Sequence, residues 1–220
     1  MTQPLSKRSA KAQEIVQAAL ETFDRHGFQT TGLDQIAGRV GIGKSTLYEY
    51  FKSKEELFIA VVQEASEQWL NLIRHIATET DDAIERLRRV ADTFIDTPQG
   101  ACVGDKRLLL EIIMQTVMEG GVFYQRNEII RDIHQRTIRM IADFLLEGVS
   151  SGQLNPVIAR DAEKFAINFL AFLDGMKIYS MAAAEYIDVG AQIQFFMNHL
   201  SPLLQQGKTS LTPKVVHLKS

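Results

Sequence analysis

Apolar positions recur every three to four residues along most of the chain, the period of a helix that buries one face. From Ser9 to His26 the repeat runs through Ile15, Ala18, Ala19, Leu20 and Phe23, and Gly27 supplies a stop. A short helix is predicted from Leu33 to Val40, with Ile36, Ala37 and Val40 on one face. Gly41 then offers the left-handed backbone that a tight turn needs. A third short helix covers about Lys44 to Phe51. Ser53, with Glu56 three residues later, has the form of a capping box. A longer helix should therefore start at Ser53 and pass through Leu57, Val61, Ala65, Trp69 and Leu72 to about Ile76.

The same period continues over roughly 81–96, 105–119, 124–149, 159–184 and 189–205, with breaks at Thr97-Pro98-Gln99-Gly100, Gly120-Gly121, Ser151-Gly152 and Asn155-Pro156. The expected fold class is all-α: a three-helix head over residues 1–52 and a helical body over 53–206. The polar stretch 207–220, with Pro213 and no period, is expected to be a mobile tail. The most apolar segment, Phe165 to Ala184, is interrupted by Asn168, Asp174 and Lys177 and reads as a buried helix, not a membrane span.

Composition adds a charge asymmetry. Apolar residues make up 45% and charged residues 23%, ordinary for a globular protein. The net charge of −3 conceals a basic head: residues 1–54 carry eight Lys/Arg against five Asp/Glu, the remainder sixteen against twenty-two. A basic head suits phosphates and an acidic body does not. The single cysteine, Cys102, excludes an intrachain disulfide, and the N-terminus lacks a signal-peptide core, so a cytoplasmic location is expected. Cys102, in a glycine-flanked loop, reads as an ordinary thiol, with a redox sensor as the alternative. The five histidines (His26, His75, His134, His199, His217) have no metal-ligand spacing, so no metal, cofactor or hydrolytic site is expected and the chain does not read as an enzyme.

Helix 33–40, the turn at Gly41-Ile42 and helix 44–51 have the lengths of a helix-turn-helix. Ile36, Val40, Ile42 and Leu47 can fill its small core. Lys44, Ser45, Thr46, Tyr48, Glu49 and Tyr50 then lie on or near the exposed side of the second helix, whose N-terminal half enters the major groove in such motifs. Lys44 can donate to guanine, Ser45 and Thr46 to bases or phosphate oxygens, and the hydroxyls of Tyr48 and Tyr50 to phosphates. Lys54, in the first turn of the capped helix, would form a phosphate clamp with that helix terminus. One rival exists: Gly38-Arg39-Val40-Gly41-Ile42-Gly43-Lys44-Ser45 satisfies the P-loop pattern of nucleotide-binding proteins. That chemistry needs a buried strand before Gly38, and Leu33-Asp34-Gln35-Ile36-Ala37 has helical spacing instead.

The run Gly41-Ile42-Gly43-Lys44-Ser45-Thr46-Leu47-Tyr48-Glu49-Tyr50-Phe51-Lys52-Ser53-Lys54-Glu55-Glu56-Leu57 resembles the recognition-helix signature of the tetracycline-repressor (TetR) family, and the likeness extends over about residues 9–60. Three positions depart from the family pattern. Gly43 and Ser45 stand where Ser or Thr and Gly are common. Gly32 stands where a phosphate-contacting Thr is common, so Thr31 is expected to take over that contact. Gly38 softens the second helix by about 1 kcal/mol relative to Ala. The resemblance implies a repressor that binds palindromic double-stranded operator DNA and is released by a small, lipophilic inducer held in a ligand-binding and dimerisation domain. A homodimer is also required by the reading itself, since one short helix buries too little to bind tightly. Helix 159–184 carries one apolar stripe of Phe165, Phe169, Phe172, Met176 and Tyr179 and another of Ala166, Leu170, Leu173 and Ala184; one is expected to face its own domain and the other the partner, together with Ile193, Phe196, Met197, Leu200 and Leu204 of the final helix. Met114, Gln115, Met118, Phe123, His134, Phe144, Phe172, Asp174 and Met176 are the candidate ligand contacts. Asp174 and Lys177, three apart, form an ion pair if they lie on the helix surface; if buried, either could anchor a polar ligand group.

Overall fold

The computed structural model describes residues 7–95, 106–124, 126–183 and 185–205. Among them the chain forms α1 (Lys7–His26), α2 (Leu33–Val40), α3 (Lys44–Tyr50), α4 (Lys54–Glu79), α5 (Ala83–Asp92), α6 (Lys106–Val117), α7 (Asn127–Ser150), α8 (Ala162–Ala182) and α9 (Val189–Leu204). A 3-10 turn at Pro156–Arg160 precedes α8, and one isolated bridge pairs Leu154 with Gln205. The fold is all-α, as the periodicity predicts. No described helix is long and apolar enough to cross a membrane. The expected loop at Thr97–Gly100, the thiol of Cys102 and the tail 207–220 lie outside the described residues.

Local chemistry fixes the helix starts. The hydroxyl of Ser53 accepts from Glu56 N–H at 3.1 Å, while the Glu56 carboxylate accepts from Lys52 N–H at 2.7 Å, one residue earlier than in the expected capping box. Asp82 caps α5 by accepting from Glu85 N–H, and Asp188 caps α9 by accepting from Ala191 N–H, each at 2.9 Å. Asn155 accepts from Val157 N–H, with Pro156 at the first helical position, which explains the 3-10 turn.

Packing produces two cores. In the head, Ile15, Ala19, Phe23, Phe28, Ile36, Ala37 and Leu47 bury against Leu57, Phe58 and Val61 of α4. The rings of Phe23, Phe28, Phe58 and Phe123 form a contiguous aromatic cluster with centroid spacings of 4.6–5.8 Å. In the body, Ile73 and Ile76 of α4 join Leu87 and Val90 of α5, Ile141 and Leu145 of α7, Phe169 and Leu173 of α8, and Ile193 and Met197 of α9. The two cores divide within α4, between Ala65 and Ile73, and not at Ser53, the boundary suggested by the cap. One helix thus belongs to both.

Candidate nucleic-acid interface and interior cavity

The turn between α2 and α3 is built on Gly41, which sits at φ 71° where an L side chain would be strained. Ile42 N–H donates to Ala37 O at 3.0 Å, closing the corner. Leu47 is the one fully buried residue of α3 and anchors it against α2 and α4. Around that anchor Lys44, Ser45, Tyr48 and Glu49 are exposed, and Thr46 and Tyr50 are half-buried. The arrangement removes the P-loop rival. Gly38 is a residue of α2 and Lys44 opens α3, so the glycine run is not a phosphate-wrapping loop after a strand.

Two expected phosphate contacts need correction. Thr31 is 2% exposed, and its hydroxyl donates to Gly27 O at 2.8 Å. It closes the end of α1, where Gly27 turns the chain at φ 85°. The Lys54 ammonium donates to the carbonyls of Phe28, Gln29 and Thr31 at 2.9, 3.2 and 3.2 Å and lies 4.6 Å from the Phe28 ring centroid. An ammonium has three donors, and all three are engaged. As placed, Lys54 straps α4 to the α1–α2 loop. Sequence position gave no hint of this, because the loop carbonyls that hold Lys54 are more than twenty residues away. Lys44 and Lys52, by contrast, are exposed and make no ion pair or side-chain hydrogen bond among the described residues.

An interior cavity of ≈ 180 Å³ lies where the two cores meet. Val62, Ala65, Ser66 and Trp69 of α4 form one wall, Leu108 and Ile112 of α6 another, and α7 contributes Ile130, Ile133, His134 and Thr137. Phe94 follows α5, and Leu170, Asp174 and Lys177 come from α8. Of the nine candidate ligand contacts, only His134 and Asp174 line this space. Met114 and Met118 point to solvent, 40% and 52% exposed. Gln115 is buried but latches the α6–α7 turn, donating to Glu111 and accepting from Val122 N–H at 3.0 Å. Phe123 belongs to the head core, and Phe144 packs beneath the Arg86 guanidinium. Phe172 stacks on Phe196 at 3.9 Å, and Met176 is half-buried away from the lining. The apolar stripes were visible in the sequence, but which stripes face one another is set by the rotation of four separate helices.

Asp174 and Lys177 both line the cavity, and no ion pair forms between them. Burial pushes the Asp174 carboxyl above the usual carboxylate range, and the nearby His134 acts against that shift. Lys177 is 2% exposed and already has an interaction partner.

Of the residues expected near the dimer contact, Tyr179 faces outward, while Phe165, Phe172, Met176, Phe196 and Leu200 are half-buried. Phe169, Ile193, Met197 and Leu204 are buried in their own chain. The outward apolar residues of α8 and α9 are Ile167, Ile178, Tyr179, Phe195 and Leu203.

Residues 15–61 match the family of bacterial regulatory proteins called the tetR family. The HTH-type transcriptional activator FasR of Mycolicibacterium smegmatis is 35% identical over 89 residues, which is 40% of this chain and 41% of FasR. The match thus spans less than half the length of that relative. Among solved structures, a transcriptional regulator from Saccharomonospora viridis in complex with choline superposes with a TM-score of 0.76 at 19% identity, covering 90% of this chain and 99% of that one. The regulator FadR from Bacillus subtilis in complex with stearoyl-CoA gives 0.66 at 21% identity, covering 88% and 99%. At these identities the structural likeness establishes the fold.

Proposed function

We propose, from the match of residues 15–61 to the tetR family of bacterial regulatory proteins, that the chain is a cytoplasmic, homodimeric, ligand-responsive regulator that represses transcription at a palindromic operator. The observation that carries the reading is α3, pinned by Leu47 and leaving Lys44, Ser45, Tyr48 and Glu49 to solvent. A helix held by one buried residue behind and free in front is shaped to enter a major groove. Lys44, Ser45 and Thr46, in its first turn, reach base edges, and Tyr48, Tyr50 and Lys52 reach flanking phosphates. Thr31 and Lys54 serve the same surface from behind, by fixing the loop that precedes α2.

Two recognition helices about 34 Å apart meet successive grooves on one face of DNA. The outward apolar residues of α8 and α9 support a two-fold contact between copies of this chain, because exposed Phe195, Tyr179 and Leu203 gain by burial against their own kind. The cavity supports ligand control. Its α4 wall is continuous with the helix whose first residue, Lys54, straps the head, so a ligand that displaces Ser66 or Trp69 shifts the recognition helices. The size of the response is the ligand's preference for the displaced form.

The test is selection of bound duplexes from a random pool, followed by a promoter-reporter assay with the selected site. An inverted repeat and lowered reporter output are expected. Enrichment of no shared sequence overturns the reading; raised output reverses its sign to activation, as in the relative FasR's name.

A further inference from the structure

The fold alone does not decide what the cavity takes, since structures with this fold are described with choline and with stearoyl-CoA. The lining does. Nearly half of it is aliphatic, from Val62 and Ala65 through Leu108, Ile112, Ile130 and Leu170. Two aromatic rings interrupt it: Trp69 and Phe94 meet edge to face, centroids 5.3 Å apart, at an interplanar angle of 89°. Three side chains carry charge or can acquire it: His134, Asp174 and Lys177.

These three are not equivalent. Lys177 is buried and already has an interaction partner. His134 is exposed at the cavity's edge. Asp174 makes no hydrogen bond or ion pair among the described residues, although it stands in an apolar wall. The nearby His134 is its ionisable neighbour among the described residues, with no hydrogen bond formed between them, so the carboxyl still has room for a donor or a positive charge. Aromatic faces beside it attract the same kind of guest, because the negative face of an indole or phenyl ring draws cations.

We propose that the cavity binds a compact amphipathic cation, an amine or quaternary ammonium on an apolar or aromatic body, with its positive group on Asp174 and its body against Trp69, Phe94 and the aliphatic wall. This rests on the reading of the cavity as the regulatory site and names the chemistry of its ligand. A raised carboxyl pKa fits the assignment, since the empty cavity disfavours the ionised form that a cation would restore. No covalent step is involved.

Trp69 is the chain's single tryptophan, so intrinsic fluorescence reads this cavity directly. The experiment titrates the full-length protein with three probes of matched size: benzyltrimethylammonium, 3-phenyl-1-propanol and 3-phenylpropionate. The cation is expected to change Trp69 emission at a concentration at least about tenfold below either other probe. In Asp174→Asn that preference should vanish, while the alcohol binds as before, which shows the cavity is still formed. Equal or tighter binding of the alcohol or the carboxylate overturns the proposal and leaves the cavity as a site for another ligand class. No response to any probe overturns it as well. A second readout separates the underlying reading: operator affinity measured with the bound cation. Tight, Asp174-dependent binding of the cation that leaves operator affinity unchanged upholds the ligand class and refutes regulation through this cavity.

Discussion

At the scale of single residues, chemistry and placement part company at Lys54 and Thr31. Both have side chains suited to phosphate, and both are held inward by carbonyls at the end of α1 and in the following loop. The strap makes a distinguishable prediction. Lys54→Met removes three charge-assisted hydrogen bonds and leaves loop carbonyls unpaired, so the head should lose about 1–3 kcal/mol of stability. Thermal melting and operator affinity should fall together; a weakened operator complex with an unchanged melt would make Lys54 a phosphate contact after all. Tyr48, exposed and not required by the core, should behave in the opposite way. Tyr48→Ala should weaken operator binding by about 1–3 kcal/mol with no change in melting, read by fluorescence anisotropy and calorimetry. Lys44→Ala should change which base pair is preferred, visible across a panel of single-substitution duplexes; a uniform loss would mark a phosphate contact.

At the scale of helices, the positions of the elements were legible and their mutual rotation was not. Gly41 and Ser53 announce a turn and a cap by residue type alone, and α2, α3, α4 and α9 begin within a residue of the starts read from the sequence. The 3-10 turn at Pro156–Arg160 escaped, since a short run after Asn-Pro has no period to read. The faces of α6 and α8 escaped for a different reason. Both helices are apolar on more than one side, so the sequence permits Met114 or Ile112, Phe172 or Leu170, to face inward; tertiary packing chose the second of each pair for the cavity. Close packing also fixes the approach of α5 to α7. A Cβ on Gly148 would lie 2.6 Å from Ala83 Cβ and 2.7 Å from Leu154 Cδ1. Gly148→Ala should therefore destabilise the body by about 1–3 kcal/mol despite its better helix propensity, measured by denaturant melting.

At the scale of the whole molecule, α4 joins two cores and walls the cavity between them. Asp174 has a folded pKa raised by burial, so its contribution to stability is present below the ordinary carboxylate pKa and is lost as pH rises through the folded value. Asp174→Asn should accordingly melt higher than wild type at neutral pH, with the difference closing under acid conditions. A variant that melts lower at neutral pH would mean the ionised carboxylate is stabilised in the empty protein.

In the proposed complex two copies of α3 read adjacent grooves on one face of DNA. Hydroxyl-radical footprinting of the selected duplex tests it most directly. Two symmetric protected patches are expected, centred about one helical turn, or a small whole number of turns, apart, with the intervening back face open. A single patch, continuous protection around the duplex, or no protection would contradict it.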